Sequence, residues 1–454
     1  MEKTIKVARQ EAVVVVPANP TRRELKELSD IDDQQGLRVR PQVIMAFKAN
    51  RSKAGKDPAK VIKEAIAKAL VYYYPFAGRL KEGPNRKLMV DCNDEGVLFI
   101  EADANVRLEE IRTRILPPCP LLEDFLYDVP GSKGIIGCPL LLFQVTRLIC
   151  GGFILGVRFN HTVCDTPGFA QLLQAMAEIS RGLPRPSVMP LWKRELLAAK
   201  YPMRVTCAHL EYGQAGDINH EQQFKDGGNM VRGCFHFGPK QIRTIRNLFP
   251  PNIQHSSSTF ELLCAFLWRC RTIALQPDPE EIVKFSMYIS LRGKQFTPLP
   301  TGYYGNAVVC PAVATKAKDL LRENSWTYAL QLVKGSKDKA NEEYVRSMLD
   351  YTVSNGRPDY TEYLHWMTTN HAYIGLEKVD FGWGTPLYAG VPRPHFVQSM
   401  FTRFENDRGE MVRVVLMLLP LQTMSRLKEE LRKIVGDQRE SSRITHASYE
   451  IARL

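Results

Sequence analysis

The sequence predicts a mixed α/β protein, with elements of both α/β and α+β character, folded as two domains. Three observations lead there. At 454 residues the chain is about three times the ~150 residues typical of one domain. Its apolar residues switch repeatedly between the helical period and the strand period. Residues 195–230 lose that periodicity and collect Gly, Gln, Asn, His and Asp (EYGQAGDINHEQQFKDGGN), the composition of a long crossover. The expected division is a first domain over 1–194, a crossover over 195–230 and a second domain over 231–454. A hydrophobic fraction of 44% and a charged fraction of 24% allow a sizeable core and exclude global disorder.

In chain order, residues 12–17 (AVVVVP) read as a buried strand. Residues 58–74 place Val61, Ile62, Ala65, Ile66, Ala69, Leu70 and Tyr73 at helical spacing and stop at Pro75. Residues 87–91 and 96–101 flank Cys92-Asn93-Asp94-Glu95 as a hairpin, and 140–148 with 153–160 repeat that pattern around Cys150-Gly151-Gly152. Thr166-Pro167 reads as a cap followed by proline, opening a helix over 168–179. In the second half, 258–275 is a helix opened by a serine/threonine cap and 284–290 is a strand. Residues 326–333 and 342–353 are helical, and 373–379 is strand-like. Residues 397–404 and 411–419 form a hairpin leading into an amphipathic helix over 421–435.

Lysine and arginine number 61 against 49 acidic residues, a net charge of +12 that would tolerate anionic small molecules, nucleic acid or acidic membranes. The densest basic stretches, at 48–63, 240–246 and 334–339, are interleaved with acidic, polar or apolar residues. They read as solvated helix faces rather than a phosphate track, so no nucleic-acid partner is expected. Cys92, Cys119, Cys138, Cys150, Cys164, Cys207, Cys234, Cys264, Cys270 and Cys310 include no C-x-x-C pair and no zinc-type spacing, which predicts reduced thiols and no metal. The start, MEKTIKVARQE, is charged where a signal peptide is apolar. The longest apolar runs, such as 414–420, fall short of the ~18–20 residues that span a bilayer, so an intracellular protein off the membrane is expected.

No G-x-S-x-G elbow, phosphate loop, H-E-x-x-H or dinucleotide fingerprint occurs, which removes serine-hydrolase, NTPase, zincin and nicotinamide chemistry. What remains is Phe159-Asn160-His161-Thr162-Val163-Cys164-Asp165. His161 stands where an apolar strand runs out, on a strand-to-helix loop, and an imidazole with an unperturbed pKa near 6.5 can take and return a proton at neutral pH. A base with no protein nucleophile beside it implies activation of a substrate hydroxyl or amine. With nine histidines, about half an H-x-x-x-D match is expected by chance, so this spacing alone does not decide the matter. Asp165 reads equally as a helix-terminal carboxylate or as half of a buried ion pair. Asp380-Phe381-Gly382-Trp383-Gly384 reads as a tight turn that pins a large aromatic.

In this order, about 215 residues apart, the two clusters resemble the paired H-x-x-x-D and D-F-G-W-G signatures of the plant BAHD acyl-CoA-dependent acyltransferases. The resemblance extends to Ser29-Asp30-Ile31-Asp32, Tyr74-Pro75-Phe76-Ala77-Gly78-Arg79-Leu80, Ser258-Thr259-Phe260-Glu261 and Gly302-Tyr303-Tyr304-Gly305-Asn306. LSDIDDQQGL, GRLKEGPNRKLMVDC, LPPCPLLEDFLYDVPGS and CPLLLFQVTRL are similar to the subgroup of benzyl alcohol benzoyltransferases and alcohol acyltransferases, with piperamide-type amide formers also similar. The resemblance implies two similar chloramphenicol-acetyltransferase-like domains with a channel between them, residues around 365–395 packing on the first domain, and a monomer. It implies acyl-CoA as co-substrate with no permanently bound cofactor. His161 would be the catalytic base that deprotonates the acceptor and returns the proton to the leaving thiolate.

The resemblance further implies that Asp165 pairs with Arg292 to shape the site, where Ser290 and Leu291 depart from the family's more usual Asn-Ala before the arginine. Asp380, Gly382 and Trp383 would be supporting residues remote from the reacting atoms. Ser258, Thr259, Tyr304, Asn306, Thr369, Asn370 and His371 would line the substrate or CoA path, His371 standing where relatives place other residues. The terminal Ala452-Arg453-Leu454 resembles a peroxisomal address read by an import receptor, with the cytoplasm as the alternative location. The expected reaction is benzoyl transfer from benzoyl-CoA to benzyl alcohol. The alternatives are amide formation with a small amine and a CoA-binding paralogue without catalysis.

Overall fold

The computed structural model describes residues 5–213, 230–323, 325–360, 364–393, 398–436 and 445–446. The chain forms two compact units. The first comprises Met1–Lys200, Arg292–Ala307 and Tyr373–Arg393, and the second Tyr201–Leu291, Val308–Ala372 and Pro394–Leu454. Two segments from the latter half of the sequence thus belong with the first unit. Ala452, Arg453 and Leu454 lie outside the described residues, as does 214–229 of the crossover.

The first unit contains β1 (Val7–Arg9), β2 (Val13–Val15), β3 (Glu24–Glu27), β4 (Gln42–Phe47), α1 (Pro58–Tyr72), β5 (Arg79–Glu82), β6 (Leu88–Cys92), β7 (Val97–Ala104), β8 (Leu141–Leu148), β9 (Phe153–Phe159) and α2 (Thr166–Ser180). Its main sheet runs β1-β7-β8-β9-β4 and ends on the short strand Tyr388–Gly390, with β2 also on β7. Only β7 and β8 pair in parallel. All seven residues of β9 are buried, the pattern of a strand covered on both faces. One face meets α2, where Phe159 stacks on Phe169 with ring centroids 4.3 Å apart. The other is so close to the Phe125–Leu126 backbone that a Cβ on Gly156 would lie 2.2 Å from the Phe125 carbonyl oxygen.

Three expectations are corrected here. Residues 12–17 are not a buried strand: β2 is a short edge strand, with Val13 39% and Val14 54% exposed. Residues 87–101 are not a hairpin. Both edges of β6 are already taken, by β3 and β5, so the chain turns at Asn93–Gly96 out of that small sheet and enters the main one as β7. Residues 373–379 are not a strand: Gly375 at φ +91° starts a 3-10 turn over Leu376–Lys378. By contrast, α1, the β8/β9 hairpin and α2 lie where the sequence places them.

In the second unit, β10 (Met230–Phe237), α3 (Thr259–Leu275), β11 (Ile282–Met287), β12 (Ala312–Lys316), α4 (Trp326–Asp338), α5 (Glu342–Ser354), β13 (His365–Asn370), β14 (Ser399–Glu405), β15 (Met411–Pro420) and α6 (Leu421–Val435) are the principal elements. The sheet order is β12-β11-β13-β14-β15-β10, completed by Thr445–His446. Every residue from Glu261 to Thr272 of α3 is buried, which marks a central helix with no solvent face. Trp268 packs on Phe285, and Phe285 on Trp366, with centroids 5.3 and 5.6 Å apart.

Candidate active site

His161 follows β9 by one residue, and its backbone continues the sheet: its N–H donates to the Val39 carbonyl at 2.9 Å, just ahead of β4. The imidazole is half-buried. Its Nδ1 is sealed from solvent with no hydrogen-bond partner among the described residues, which leaves Nε2 as the nitrogen able to exchange a proton. Burial pulls its pKa below the ordinary 6.5, against the opposing pull of its own carbonyl, Asp165, Asn306 and Asp32. The ring is therefore neutral, and a proton acceptor, at pH 7.

Asp165 does not face the histidine as a triad partner. It caps α2, accepting from the Gly168 N–H at 2.9 Å, so the cap is Asp165 rather than the Thr166 suggested by sequence. Its oxygens also accept two guanidinium bonds from Arg292, at 2.6 and 2.9 Å, and the Ala307 N–H at 3.1 Å. Both roles open in the sequence, helix-terminal carboxylate and buried ion-pair half, are thus filled at once. Arg292 further donates to the Gly305 carbonyl at 2.7 Å.

Arg292 opens the segment that carries Tyr303, Tyr304, Gly305 and Asn306 to the histidine. Asn306 Nδ2 donates to the His161 carbonyl at 2.7 Å and to Asp32 Oδ1 at 2.8 Å. Asp32 in turn pairs with Arg194, Nε to Oδ2 at 3.0 Å, both side chains being buried. Burial opposes the charge on Arg194, but Asp32 and the neighbouring Tyr303 and Tyr304 outweigh it and hold its pKa above the ordinary value. The guanidinium lies 4.3 Å from the Trp192 ring centroid and 4.9 Å from that of Tyr304. Tyr304 is buried against Tyr73 and Phe76, so it packs the site rather than lining it. Two glycines permit this approach. A Cβ on Gly168 would sit 2.0 Å from the Tyr304 carbonyl oxygen, and one on Gly305 1.4 Å from Arg194 Nη1.

Sequence reasoning missed Asp32 and Arg194 as parts of this site. Asp32 entered only as a letter in a resembling motif, and Arg194 not at all. Their partners are remote in the chain, Asp32 and Asn306 being 274 residues apart. The only local signal was a run of acids at Asp30, Asp32 and Asp33.

Asp380, Gly382 and Trp383 form a self-contained turn in the same unit. Asp380 Oδ1 accepts from the Gly382 and Gly384 N–H groups at 2.7 and 2.8 Å, and Arg181 donates to the Asp380 carbonyl. Trp383 and Phe381 pack edge-on against Phe153 and Phe47, which pair at the far end of β9 and β4. Phe153 and His161 are separated by eight residues of extended chain, about 26 Å. Gly382→Ala is expected to cost about 1–2 kcal/mol, because φ at this position is +99° and, while Lys53 can swing clear of a new Cβ, the backbone cannot. A thermal melt lowered by a few degrees checks it; an unchanged melt would remove the strain argument.

The remaining candidates lie in the second unit. Ser258 caps α3 in a reciprocal box with Glu261: its hydroxyl accepts from the Glu261 N–H at 3.2 Å, and Glu261 accepts from the Ser258 N–H at 2.8 Å. Thr259 Oγ1 accepts from Arg246 at 3.2 Å. Both hydroxyls are thus engaged locally, and a carboxylate already occupies this helix end. Thr369 and Asn370 end β13, where Asn370 Oδ1 accepts from the Ala372 N–H, and the His371 N–H donates to the Phe401 carbonyl at 2.7 Å.

The second unit also holds an arrangement no motif announced. Ser347 Oγ lies 2.8 Å from His209 Nε2, and His209 Nδ1 lies 3.0 Å from Glu211. It resembles a serine-hydrolase triad, but all three residues are buried and Ser347 Oγ already accepts the Thr206 and Cys207 N–H groups. It pins residues 206–211 onto α5 and has no open face for a substrate.

A family model described as the Transferase family matches residues 5–434. The chain belongs to that family. It is a BAHD acyl-CoA-dependent acyltransferase, as the paired motifs implied. The transferase is 48% identical to Alcohol acyl transferase 2 of Malus domestica over 442 residues, 96% of this chain and 95% of the apple protein. It is 49% identical to Alcohol acyltransferase 16 of Actinidia chinensis var. chinensis over 433 residues, 95% and 94% of the two chains. Among solved structures, vinorine synthase matches with a TM-score of 0.72 at 21% identity, covering 95% of this chain and 99% of that one. F. graminearum TRI101 complexed with Coenzyme A and Deoxynivalenol matches with a TM-score of 0.69 at 16% identity, covering 90% and 99%. These two share the mixed α/β fold with the transferase.

Proposed function

We propose that the transferase moves the benzoyl group of benzoyl-CoA to a small alcohol, benzyl alcohol being the specific acceptor, with His161 as general base. The observation that supports the base in this reading is the His161 imidazole itself, kept neutral by burial and left with Nε2 as its working nitrogen. Nε2 takes the hydroxyl proton as the alcohol oxygen attacks the thioester carbonyl. The carbon–sulfur bond then breaks, and the imidazolium returns the proton to the departing thiolate, giving ester and free CoA.

Direct attack is supported by the adjacent Cys164, whose thiol burial holds well above its ordinary pKa and therefore uncharged, a poor candidate for an acyl-enzyme nucleophile. Alcohol acceptance is supported by the alcohol acyltransferase names of the apple and kiwifruit relatives.

The test is thiol release from purified protein given benzoyl-CoA with benzyl alcohol, and separately with piperidine. Release with the alcohol is expected. Release with the amine alone would make the enzyme an amide synthase, and CoA binding without release from either would make it a non-catalytic paralogue or a user of other acyl groups.

A pH profile follows from the same geometry. Only the neutral ring accepts a proton, and its pKa lies below 6.5, so kcat/KM is expected to hold level through pH 7 and to fall only as acidity protonates His161, with a midpoint below 6.5. A limb centred above 7 would exclude this histidine as the titrating base.

A further inference from the structure

We infer that Asp32 is a positioning residue for His161, acting through Asn306. The inference rests on the reading of His161 as the base and extends it to a buried residue that reaches the histidine through Asn306.

Both amide hydrogens of Asn306 are committed. Nδ2 donates to Asp32 Oδ1 at 2.8 Å and to the His161 carbonyl at 2.7 Å. The backbone N–H of Asn306 donates to the same Asp32 oxygen at 2.8 Å. An amide turned the other way would set its oxygen against a carboxylate and a carbonyl, so the side chain has one usable orientation. That orientation leaves Asn306 Oδ1 buried with no hydrogen-bond partner among the described residues, an arrangement that packing alone gives no reason to keep.

Asp32 is itself fixed. Its side chain is fully buried, its Oδ2 pairs with Arg194 and accepts the Ser29 N–H at 3.2 Å, and the Ser29 hydroxyl accepts the Asp32 N–H at 3.0 Å. The peptide of His161 is thereby held on both sides, its N–H by Val39 and its carbonyl by Asn306. With the backbone fixed in this way, χ1 and χ2 are the freedom left to the ring. Asp32 also places a negative charge near the imidazole, favouring the imidazolium formed as the acceptor proton is taken.

The experiment compares the full-length protein with Asp32→Asn and Asn306→Ala, using benzoyl-CoA and benzyl alcohol. Asn306→Ala keeps the Asp32–Arg194 pair and the backbone bond to Asp32, and so separates the clamp from the fold. Both variants are expected to lose about tenfold to a hundredfold in kcat with the KM for benzoyl-CoA little changed, the size of a small misplacement of a reacting group. In Asp32→Asn the acid limb of kcat/KM and the ring titration of His161, followed by NMR of labelled histidine and assigned by its absence from His161→Ala, should both move to lower pH. Loss of stability alone would move neither.

If both variants keep kcat within twofold, or if Asp32→Asn leaves the His161 titration in place, the inference is overturned. Failure of the functional reading looks different. If the wild-type protein releases no thiol while the titration still shifts in Asp32→Asn, the clamp stands and the substrate assignment falls. If His161→Ala turns over normally, the assignment of the base falls, and this inference with it.

Discussion

His161→Ala is expected to lower kcat for benzoyl-CoA and benzyl alcohol by about 10³-fold while leaving KM and the melting temperature close to wild type. The magnitude is that of a positioned general base, which contributes about 10²–10⁴-fold. The fold should survive because the position is held by backbone hydrogen bonds, to Val39 and Asn306, and the ring's aromatic contact is a tilted one with Phe159 at 5.9 Å. His161→Gln is the companion: an amide of similar reach cannot take a proton at neutral pH, so it should be as inactive. Thiol release measured across a pH series checks both, and retention of activity within tenfold in either would remove His161 as the base.

The largest effect on stability should come from Arg292→Ala. Asp165 is 3% exposed, and the side chain of its partner Arg292 is three-quarters buried. Removing the arginine leaves a buried carboxylate with, among the described residues, the Gly168 and Ala307 N–H groups as its donors, and breaking a buried pair from one side costs about 3 kcal/mol or more. Arg292→Lys keeps the charge but forfeits the two-pronged geometry and with it the bond to the Gly305 carbonyl, so it should recover only part of the loss. Urea unfolding of the three proteins side by side measures this. A loss under 0.5 kcal/mol in Arg292→Ala would mean that the ion pair returns no more than its desolvation costs.

The legibility of these features followed the range of the forces involved. His161 was visible because a strand's apolar run and a cap-proline signal, both local, bracket it. α1 and α6 were visible because each carries its own period, and α2 and α3 because a cap signal opens each. Ser258 was readable as a cap, but its pairing with Glu261, three residues on, takes up the hydroxyl that a ligand reading would use. The valines of β2 misled because apolar composition was taken for burial, although an edge strand can leave two of its three residues in solvent. The hairpin at 87–101 failed because pairing partners are chosen by which sheet edges are free, and a sequence does not display edges. Asp32, Arg194 and Asn306 meet only after the chain has folded across hundreds of residues, and no window of one sequence contains that meeting.

The first unit is assembled from three stretches of chain that are not consecutive, and this bears on how the protein is born. During synthesis the ribosome exposes His161, Asp165, Asp32 and Arg194 well before Arg292 and Asn306 exist. For the interval in which roughly another hundred residues are made, Asp165 has no guanidinium partner and the His161 carbonyl no amide donor. Vectorial folding, in which a leading domain settles before the next emerges, therefore cannot complete this unit until its two later segments have been made. A polypeptide cut short before residue 292 would carry every residue of the H-x-x-x-D motif but neither the guanidinium that pairs with Asp165 nor the amide that holds the His161 carbonyl.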